Sequence, residues 1–406
     1  MMLAVQMDLL DAVGRIDDMA VTWNHVIDLV WVVNRIAVLA VFILVLATGW
    51  GSTRYGWFRR LFRERSYPSL VAYGWLLALV WLLVQLPGNF YQHAKYPAPD
   101  ADSFSEWLTG QFGSLVPVML GVAILVWLPY RLMRWSPHRW WLWLGAVSAP
   151  ALLAVFVLQP VWTVRASGLR PLQDTSLSAE IRSLAAQCGV AHPEVVVGGN
   201  DTHVVGLGGA SAIVLQSDLQ KVEDPAQIRF TIAHELKHYV EGDNWKAWAI
   251  SVALILLIGG TFHFAGRPLT RRWKNQFGFD EIGDPRSLPL LAVCTVLVWT
   301  AILPLFLSYN RHIERDADRF GLALSGERRA AGTLFRSWKD ELALPDTDTF
   351  GRLIRANHPS TSERIRMAET FEPSEGDLPE SCVAGKAPPS GLGSINQPTA
   401  NAPSSP

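Results

Sequence analysis

Six stretches of the chain are apolar over enough consecutive positions to cross a lipid bilayer as helices. A transmembrane helix needs about 20 such residues, because it rises about 1.5 Å per residue through a hydrocarbon core about 30 Å thick. The six stretches cover residues 29–50, 70–86, 115–130, 141–162, 247–265 and 288–309. Trp and Tyr cluster at several of their ends, as aromatic anchors do at membrane interfaces. The pattern predicts a mainly α-helical, polytopic membrane protein with about six spans.

The composition agrees with a membrane protein and argues against other classes. Half of the 406 residues are hydrophobic and only 17% are charged, whereas charged residues make up about 25% of an ordinary soluble domain. A net charge of −1 gives no basic face for nucleic acid, so no nucleic-acid partner is expected. The three cysteines, Cys188, Cys294 and Cys382, cannot all pair and have no C-x-x-C spacing. They predict neither a disulfide framework nor a thiolate zinc site.

Positive charge in the loops predicts how the chain is oriented in the membrane. Lysine and arginine are concentrated in the first, third and fifth loops, at Arg54, Arg59, Arg60, Arg63, Arg65, Arg131, Arg134, Arg139, Arg267, Arg271, Arg272, Lys274 and Arg286. The N-terminal segment holds only Arg15 and the second loop only Lys95. The positive-inside rule therefore places the odd-numbered loops in the cytoplasm. Four arginines that closely follow the fourth and sixth spans argue against this orientation, namely Arg165, Arg170, Arg311 and Arg315.

The segments outside the spans predict a small soluble domain in two parts. Before the fifth span, residues 177–188 predict a helix, and the β-branched runs at 194–197, 203–205 and 212–215 predict a small antiparallel sheet. After the sixth span, helices are predicted at residues 310–325, 330–342 and 360–368. From residue 372 onward the chain is rich in Pro, Ser, Gly and Ala. That composition predicts a disordered tail, because it cannot bury enough surface to offset its conformational entropy.

One predicted helix, close before the fifth span, carries a metal-binding pattern. Asp224 can cap this helix and Pro225 fits its first position. His234 and His238 are four residues apart, so both imidazoles leave the same side of the helix. Two such histidines can bind one zinc ion while the neighbouring Glu235 acts as a general base. The alternative is two exposed histidines on an ordinary amphipathic helix.

A catalytic zinc site needs a third protein ligand, and Glu314 is the best candidate. The fifth and sixth spans form a hairpin, so the chain returns to the membrane face on which His234 lies. Asp318 follows Glu314 by one helical turn and can accept a hydrogen bond from a ligand histidine, which would hold the ring in place. The alternative is that Glu314 and Asp318 belong to a solvated charged helix face.

These two motifs resemble the integral-membrane zinc endopeptidases grouped around HtpX and the CAAX prenyl proteases. That family carries HExxH, then ExxxD with an Ala-Asp pair, and a His-Pro segment similar to His358-Pro359 with Arg364. The resemblance covers residues 177–367. It implies that His234, His238 and Glu314 bind one zinc ion per chain, that Glu235 is the catalytic base and that Asp318 supports a ligand.

Two further roles come from the resemblance alone. It implies that His358 steadies the tetrahedral intermediate, although a His-Pro pair in a loop can also be purely structural. Where the family usually has an Asn that contacts substrate, His203 stands in this chain, and a histidine can still donate a hydrogen bond. The strand at 212–215 resembles the edge strand along which such enzymes bind an extended substrate.

The sequence therefore predicts five regions and one activity. The regions are a four-span membrane part (1–163), the HExxH half of a small α+β zinc-peptidase domain (164–246), a transmembrane hairpin (247–309), the ExxxD half (310–371) and a tail (372–406). The expected activity is zinc-dependent hydrolysis of peptide bonds in membrane-associated or misfolded proteins. Its expected partners are a peptide or protein substrate and the lipid bilayer. The protein is expected in the inner (plasma) membrane of a bacterium, with the peptidase domain outside the cytoplasm. The alternative is an inactive or non-enzymatic membrane protein, such as a transporter or scaffold.

Overall fold

The computed structural model describes residues 2–95, 103–166, 169–172, 175–190, 193–198, 202–208, 211–216, 224–341, 346–374 and 376–382. Within these residues, six helical stretches are long and apolar enough to cross a membrane. They are Trp23–Ala47, Ser66–Lys95, Phe104–Trp135, Trp140–Val161, Asp243–Arg272 and Pro285–Ser325. The predicted fold class, a mainly helical polytopic protein with a small sheet, is confirmed.

Seven helices make up the four-span membrane part. They are α1 (Met2–Ala47), α2 (Trp50–Leu61), α3 (Ser66–Lys95), α4 (Phe104–Gly113), α5 (Leu115–Leu125), α6 (Trp127–Trp135) and α7 (Trp140–Ala166). The third span consists of α4, α5 and α6 in series rather than one continuous helix. Helices α1 and α3 pack together around buried residues such as Val38, Phe42 and Tyr73.

The odd-numbered loops meet at one end of the bundle. The Ser52 hydroxyl, in the first loop region, donates to the carbonyl of Phe277 at 2.5 Å, and Arg267 donates to the carbonyl of Pro137 at 2.5 Å. These contacts join the first loop to the fifth and the fifth to the third. The basic loops are therefore at one end of the spans.

The predicted peptidase domain contains a four-stranded sheet with the strand order β1-β2-β4-β3. The strands are β1 (Arg170–Pro171), β2 (Glu194–Val197), β3 (His203–Val205) and β4 (Ala212–Leu215). Strand β4 is antiparallel to β3 but parallel to β2. The predicted all-antiparallel sheet is therefore wrong for one pair. All four residues of β4 are buried, and this strand lies between β2 and β3. Because β2 and β3 run in opposite directions, β4 can be antiparallel to only one of them.

The remaining helices are α8 (Thr175–Gln187), α9 (Pro225–Val240), α10 (Asp243–Arg272), α11 (Lys274–Phe277), α12 (Leu288–Ser325), α13 (Arg328–Glu341), α14 (Thr349–Ile354) and α15 (Thr361–Thr370). The sixth span and the predicted helix at 310–325 are one continuous helix, α12. Its 38 residues begin at the end of the bundle with the basic loops and reach into the predicted peptidase domain. Helix α14 was not predicted from the sequence. The interior of the domain is a cluster that includes Ile181, Ile213, Ile232 and Phe320.

Part of the expected tail packs on the predicted peptidase domain. The Asp377 carboxylate accepts a hydrogen bond from Arg319 of α12 at 2.7 Å. Cys382 forms a disulfide with Cys188. The described residues 372–374 and 376–382 thus follow the domain where the sequence predicts a disordered tail, and two of the three cysteines form a bridge. Residues 383–406 lie outside the described part of the chain.

Candidate metal centre and active site

Helix α9 starts as the sequence predicts. The Asp224 carboxylate accepts hydrogen bonds from the backbone N–H groups of Ala226 and Gln227 at 2.8 and 2.9 Å. The Gln227 side chain in turn accepts from the N–H of Asp224 at 2.9 Å, which completes a capping box. Ile232 and Leu236 are buried in the domain core. This buried face orients the helix, and with it the two histidines.

The structure brings His234, His238 and Glu314 together. The Nε2 atom of His234 lies 3.3 Å from Oε2 of Glu314, and the Nε2 atom of His238 lies 3.8 Å from Oε1. One ligand atom from each of the three residues falls within 4.8 Å of the others. In a tetrahedral zinc site with bonds of about 2.0–2.1 Å, ligand atoms are about 3.3 Å apart. The donor set and its spacing therefore fit a metal ion.

Close packing of α12 on α9 makes this approach possible. A Cβ atom on Gly321 would lie 3.1 Å from the ring of Phe230 and 3.2 Å from the backbone nitrogen of His234. Any larger residue at this position would push the two helices apart. Glu314 lies about two turns earlier on the same side of α12, so this contact sets its distance from the histidines.

Asp318 holds the ring of His234 from behind. Its Oδ1 atom lies 3.1 Å from Nδ1 of His234, which leaves Nε2 directed at Glu314. The Asp318 side chain is fully buried, and Arg364 donates two hydrogen bonds to it at 2.8 and 2.5 Å. The guanidinium of Arg364 also lies 4.4 Å from the ring centroid of Phe335. The contact that the sequence suggested for Asp318 is present, and Arg364 balances its charge.

A matching contact on His238 was not predicted. The Oδ2 atom of Asp243 lies 2.8 Å from Nδ1 of His238. The same oxygen accepts from Nζ of Lys237 at 2.8 Å, although Lys237 is only 1% exposed. Asp243 directly follows Gly242, whose φ of 62° turns the chain out of α9 and into α10. A Gly-Asp pair directly after the motif helix was the signal that could have suggested this contact.

The protonation equilibria of the site reflect its burial and its charges. Burial raises the pKa of Glu235, and the nearby His234 and His238 offset part of this effect. Burial alone would lower the pKa of His234, but hydrogen bonds to Asp318 and Glu314 raise it to about 10. The carboxylates around His234 thus favour a positive charge at the cluster. A divalent metal ion satisfies the same requirement.

His358 lies on the open side of the cluster. Its Nε2 atom is 3.3 Å from Oε2 of Glu314, and its Nδ1 atom is 2.9 Å from the side-chain oxygen of Asn357. The imidazole is about half exposed. A cavity of about 260 Å³ lies between this histidine and the sheet, and its lining includes Thr202, Gln216, His234, Glu235, Glu314 and His358.

The strand next to the site differs from the one that the sequence suggested. Strand β4 is an interior strand, so it cannot serve as the edge for a substrate. The sheet has edge strands β1 and β3, and the one beside β4 is β3, which begins with His203. The side chain of Asn244 donates to the carbonyls of Val204 and Gly206 at 3.4 and 2.8 Å. His203 also contributes to the electrostatic environment of Glu235, so it lies on the edge beside the site.

Comparisons with known proteins agree with this geometry. The peptidase family M48 profile matches residues 171–372. The uncharacterized metalloprotease YhfN of Bacillus subtilis (strain 168) is 26% identical over 325 residues, which is 75% of this chain and 74% of that protein. The fold is similar to the crystal structure of S. mikatae Ste24p, with a TM-score of 0.57 and 19% identity over 73% of this chain and 75% of that one. With its membrane-spanning helices and its His-His-Glu group, the chain belongs to peptidase family M48 and is a membrane metalloprotease of that family.

Proposed function

We propose that this protein is an integral-membrane, zinc-dependent endopeptidase of the HExxH type that hydrolyses peptide bonds in membrane-associated or misfolded proteins. The observation that carries the proposal is the His234, His238 and Glu314 cluster, with its ligand atoms within 4.8 Å of one another and the buried Glu235 beside it. The three residues would hold one zinc ion per chain. A bound zinc ion supplies an activated water at neutral pH and polarises the substrate carbonyl.

The side chains around the cluster would transfer the proton, stabilise the oxyanion and orient the two histidines. Glu235 accepts the proton of the attacking water and delivers it to the leaving amine. His358 donates a hydrogen bond to the oxyanion that develops, and losing such a donor costs about 10²–10³ in rate. Asp318 and Asp243 accept from the Nδ1–H groups of the two histidines, so that each ring presents Nε2 to the metal.

An extended substrate would bind along β3. Because β3 is an edge strand, a peptide added beside it would be held by main-chain hydrogen bonds with little dependence on sequence. His203 at the start of this strand is proposed as a polar contact to the substrate. Such a binding mode suits a protease that acts on varied or misfolded chains.

Two observations support a peptidase domain outside the cytoplasm, in a bacterial plasma membrane. The basic odd-numbered loops lie at one end of the spans, which the positive-inside rule places in the cytoplasm. Cys188 and Cys382, at the other end, form a disulfide, and disulfides persist in oxidising compartments. This position makes processing of prenylated cytoplasmic proteins a less suitable role than quality-control proteolysis.

Metal analysis and cleavage assays on the purified full chain test the proposal. We expect one zinc per chain, and digestion of labelled casein that stops with a chelator and returns with added zinc. Glu235→Gln should abolish cleavage but keep the zinc, because it removes the base and no metal ligand. Cleavage by this variant at the wild-type rate would refute the role of Glu235. A wild-type chain that binds zinc but cleaves nothing would support an inactive scaffold instead.

A further inference from the structure

The loop that carries His358 is held from two sides. This loop runs from the end of α14 to the start of α15. On one side, Arg311 of α12 donates to the backbone carbonyls of Arg352 and Ala356 at 2.7 and 2.6 Å. Arg311 precedes Glu314 by three residues on the same helix. The helix that presents Glu314 to the histidines therefore also fixes the base of the loop.

On its other side, the loop is bound to the first membrane helix, α1. Arg355, three residues before His358, donates from Nε to Oδ1 of Asp28 at 2.6 Å and from Nη2 to Oδ1 of Asn24 at 2.5 Å. Asp28 and Asn24 are one helical turn apart on α1, so both face the loop. Both are buried, with exposed fractions of 4% and 7%. The contact thus offers two buried acceptors to one guanidinium, whose side chain is 25% exposed.

The neighbouring backbone leaves room for this contact. A Cβ atom on Gly351 of α14 would lie 2.4 Å from Cγ2 of Thr347, 3.1 Å from Oδ2 of Asp28 and 3.2 Å from Nη2 of Arg355. Glycine at this position avoids a clash with Thr347 and also leaves space beside the Asp28 carboxylate and the Arg355 guanidinium. A cavity of about 270 Å³ adjoins the same residues, and Asn24, Arg355 and His358 all line it.

We infer that Asp28 and Asn24 of the first membrane helix are positioning residues, which act through Arg355 to hold His358 against the metal cluster. The inference rests on the proposed function, since it assumes that His358 acts on the developing oxyanion. It goes beyond the family resemblance, because α1 lies outside the matched residues 171–372. A half-exposed imidazole on a loop has few contacts of its own, so its position depends on how its backbone is anchored. A displacement of about 1 Å in such a group can cost about 10²-fold in rate.

Asp28→Asn is the most informative variant. It keeps the shape and one acceptor oxygen but removes the charge that Arg355 faces. In detergent micelles with labelled casein, we expect kcat to fall about tenfold to hundredfold with little change in KM. Zinc content should stay at the wild-type value, because no ligand is altered. Hydrogen exchange at residues 355–359 should become faster, which reports on the loop independently of activity.

A double variant shows whether Asp28 acts through His358. In a His358→Ala background, the further change Asp28→Asn should reduce kcat by less than about twofold, because the group being positioned is already gone. Losses that multiply would overturn the inference, as would unchanged kcat or unchanged hydrogen exchange in Asp28→Asn alone. His358→Ala with wild-type kcat would also overturn it.

His25, the residue after Asn24, provides a matched control. His25 pairs with Asp348 across 3.7 Å, but both side chains are exposed, at 62% and 47%. The His25–Asp348 pair also links α1 to the start of α14. Because it is exposed, His25→Ala should leave kcat and hydrogen exchange in the loop unchanged. Failure of the proposed function would be distinguishable, because it appears in Glu235→Gln or in the chelator test, neither of which involves α1.

Discussion

Asp243 lies 2.8 Å from the Nδ1 atom of His238, five residues after it and across the turn between α9 and α10. Asp318 makes the equivalent contact to His234 at 3.1 Å from a different helix. Each histidine of the motif thus has its own carboxylate on the side away from the cluster. The two carboxylates are themselves balanced by buried cations, Arg364 for Asp318 and Lys237 for Asp243.

Removing the carboxylate behind His238 should weaken metal binding. We expect Asp243→Ala to lower zinc affinity about 10–100-fold, because the ring loses the acceptor that fixes its tautomer. A competition titration with a chromophoric chelator measures this directly. Asp316→Ala is the control, since Asp316 is an exposed neighbour of the cluster that pairs with the exposed His312. Equal zinc affinity in the Asp243 variant and the wild type would contradict the role given to Asp243.

Arg364 should be needed for stability as well as for the site. Arg364→Ala leaves the fully buried carboxylate of Asp318 without its cation, and breaking such a pair costs about 3–5 kcal/mol. We expect a lower melting temperature and weaker zinc binding, with part of both restored in Arg364→Lys. The exposed Arg366 on the same helix provides the control, and its change to Ala should leave the melting temperature unaltered. A stable, zinc-replete Arg364→Ala chain would show that Asp318 does not require this partner.

Two glycines allow a paired test of the contact between α9 and α12. Gly321→Ala places a Cβ 3.2 Å from the backbone of His234, so we expect the helices to separate and zinc affinity to fall. Gly332→Ala is matched, because Gly332 is also within a helix but its Cβ would find ordinary contacts at 3.5 Å or more. That variant should gain up to about 1 kcal/mol from helix propensity. Melting temperatures that rise equally in both variants would argue against tight packing at Gly321.

Burial of Glu235 should be visible in the pH profile. Its pKa is raised above the ordinary value of 4.5, because burial disfavours the charged form. Only the carboxylate can accept a proton, so kcat/KM should fall as pH decreases through this raised pKa, at a higher pH than an exposed glutamate would give. Zinc content measured at each pH separates this effect from loss of the metal. A profile that stays flat down to pH 4.5 with zinc bound would contradict the assignment.

The disulfide joins α8 to the end of the described chain and should stabilise the domain. Replacing Cys188 and Cys382 with Ser should lower stability by about 2–4 kcal/mol, since the bridge restrains the unfolded chain. Gel mobility without reductant, compared between the double variant and the wild type, tests whether the bridge forms in cells.

The proposed orientation has a test of its own. A C-terminal tag reached only by reagents outside the cell would support the proposed orientation. A tag reached only from the cytoplasm would reverse it.

The sequence was sufficient for the features that arise from local patterns. Six apolar runs predicted six membrane helices because crossing a bilayer requires length and hydrophobicity, which are properties of contiguous residues. The start of α9 was readable for the same reason, since Asp224 caps the residues that immediately follow it. The spacing of His234 and His238 places both rings on one side of any helix that contains them.

Only the tertiary structure decided how distant segments meet. Nothing in β4 or β3 by itself shows which becomes the edge strand, because that depends on which runs the helices bury. The contact of Arg355 with Asp28 spans 327 positions of sequence, and Arg364 reaches Asp318 across 46. Such ion pairs have no local pattern. They form because the fold buries the carboxylates of Asp28 and Asp318, and a buried charge is costly without a cation beside it.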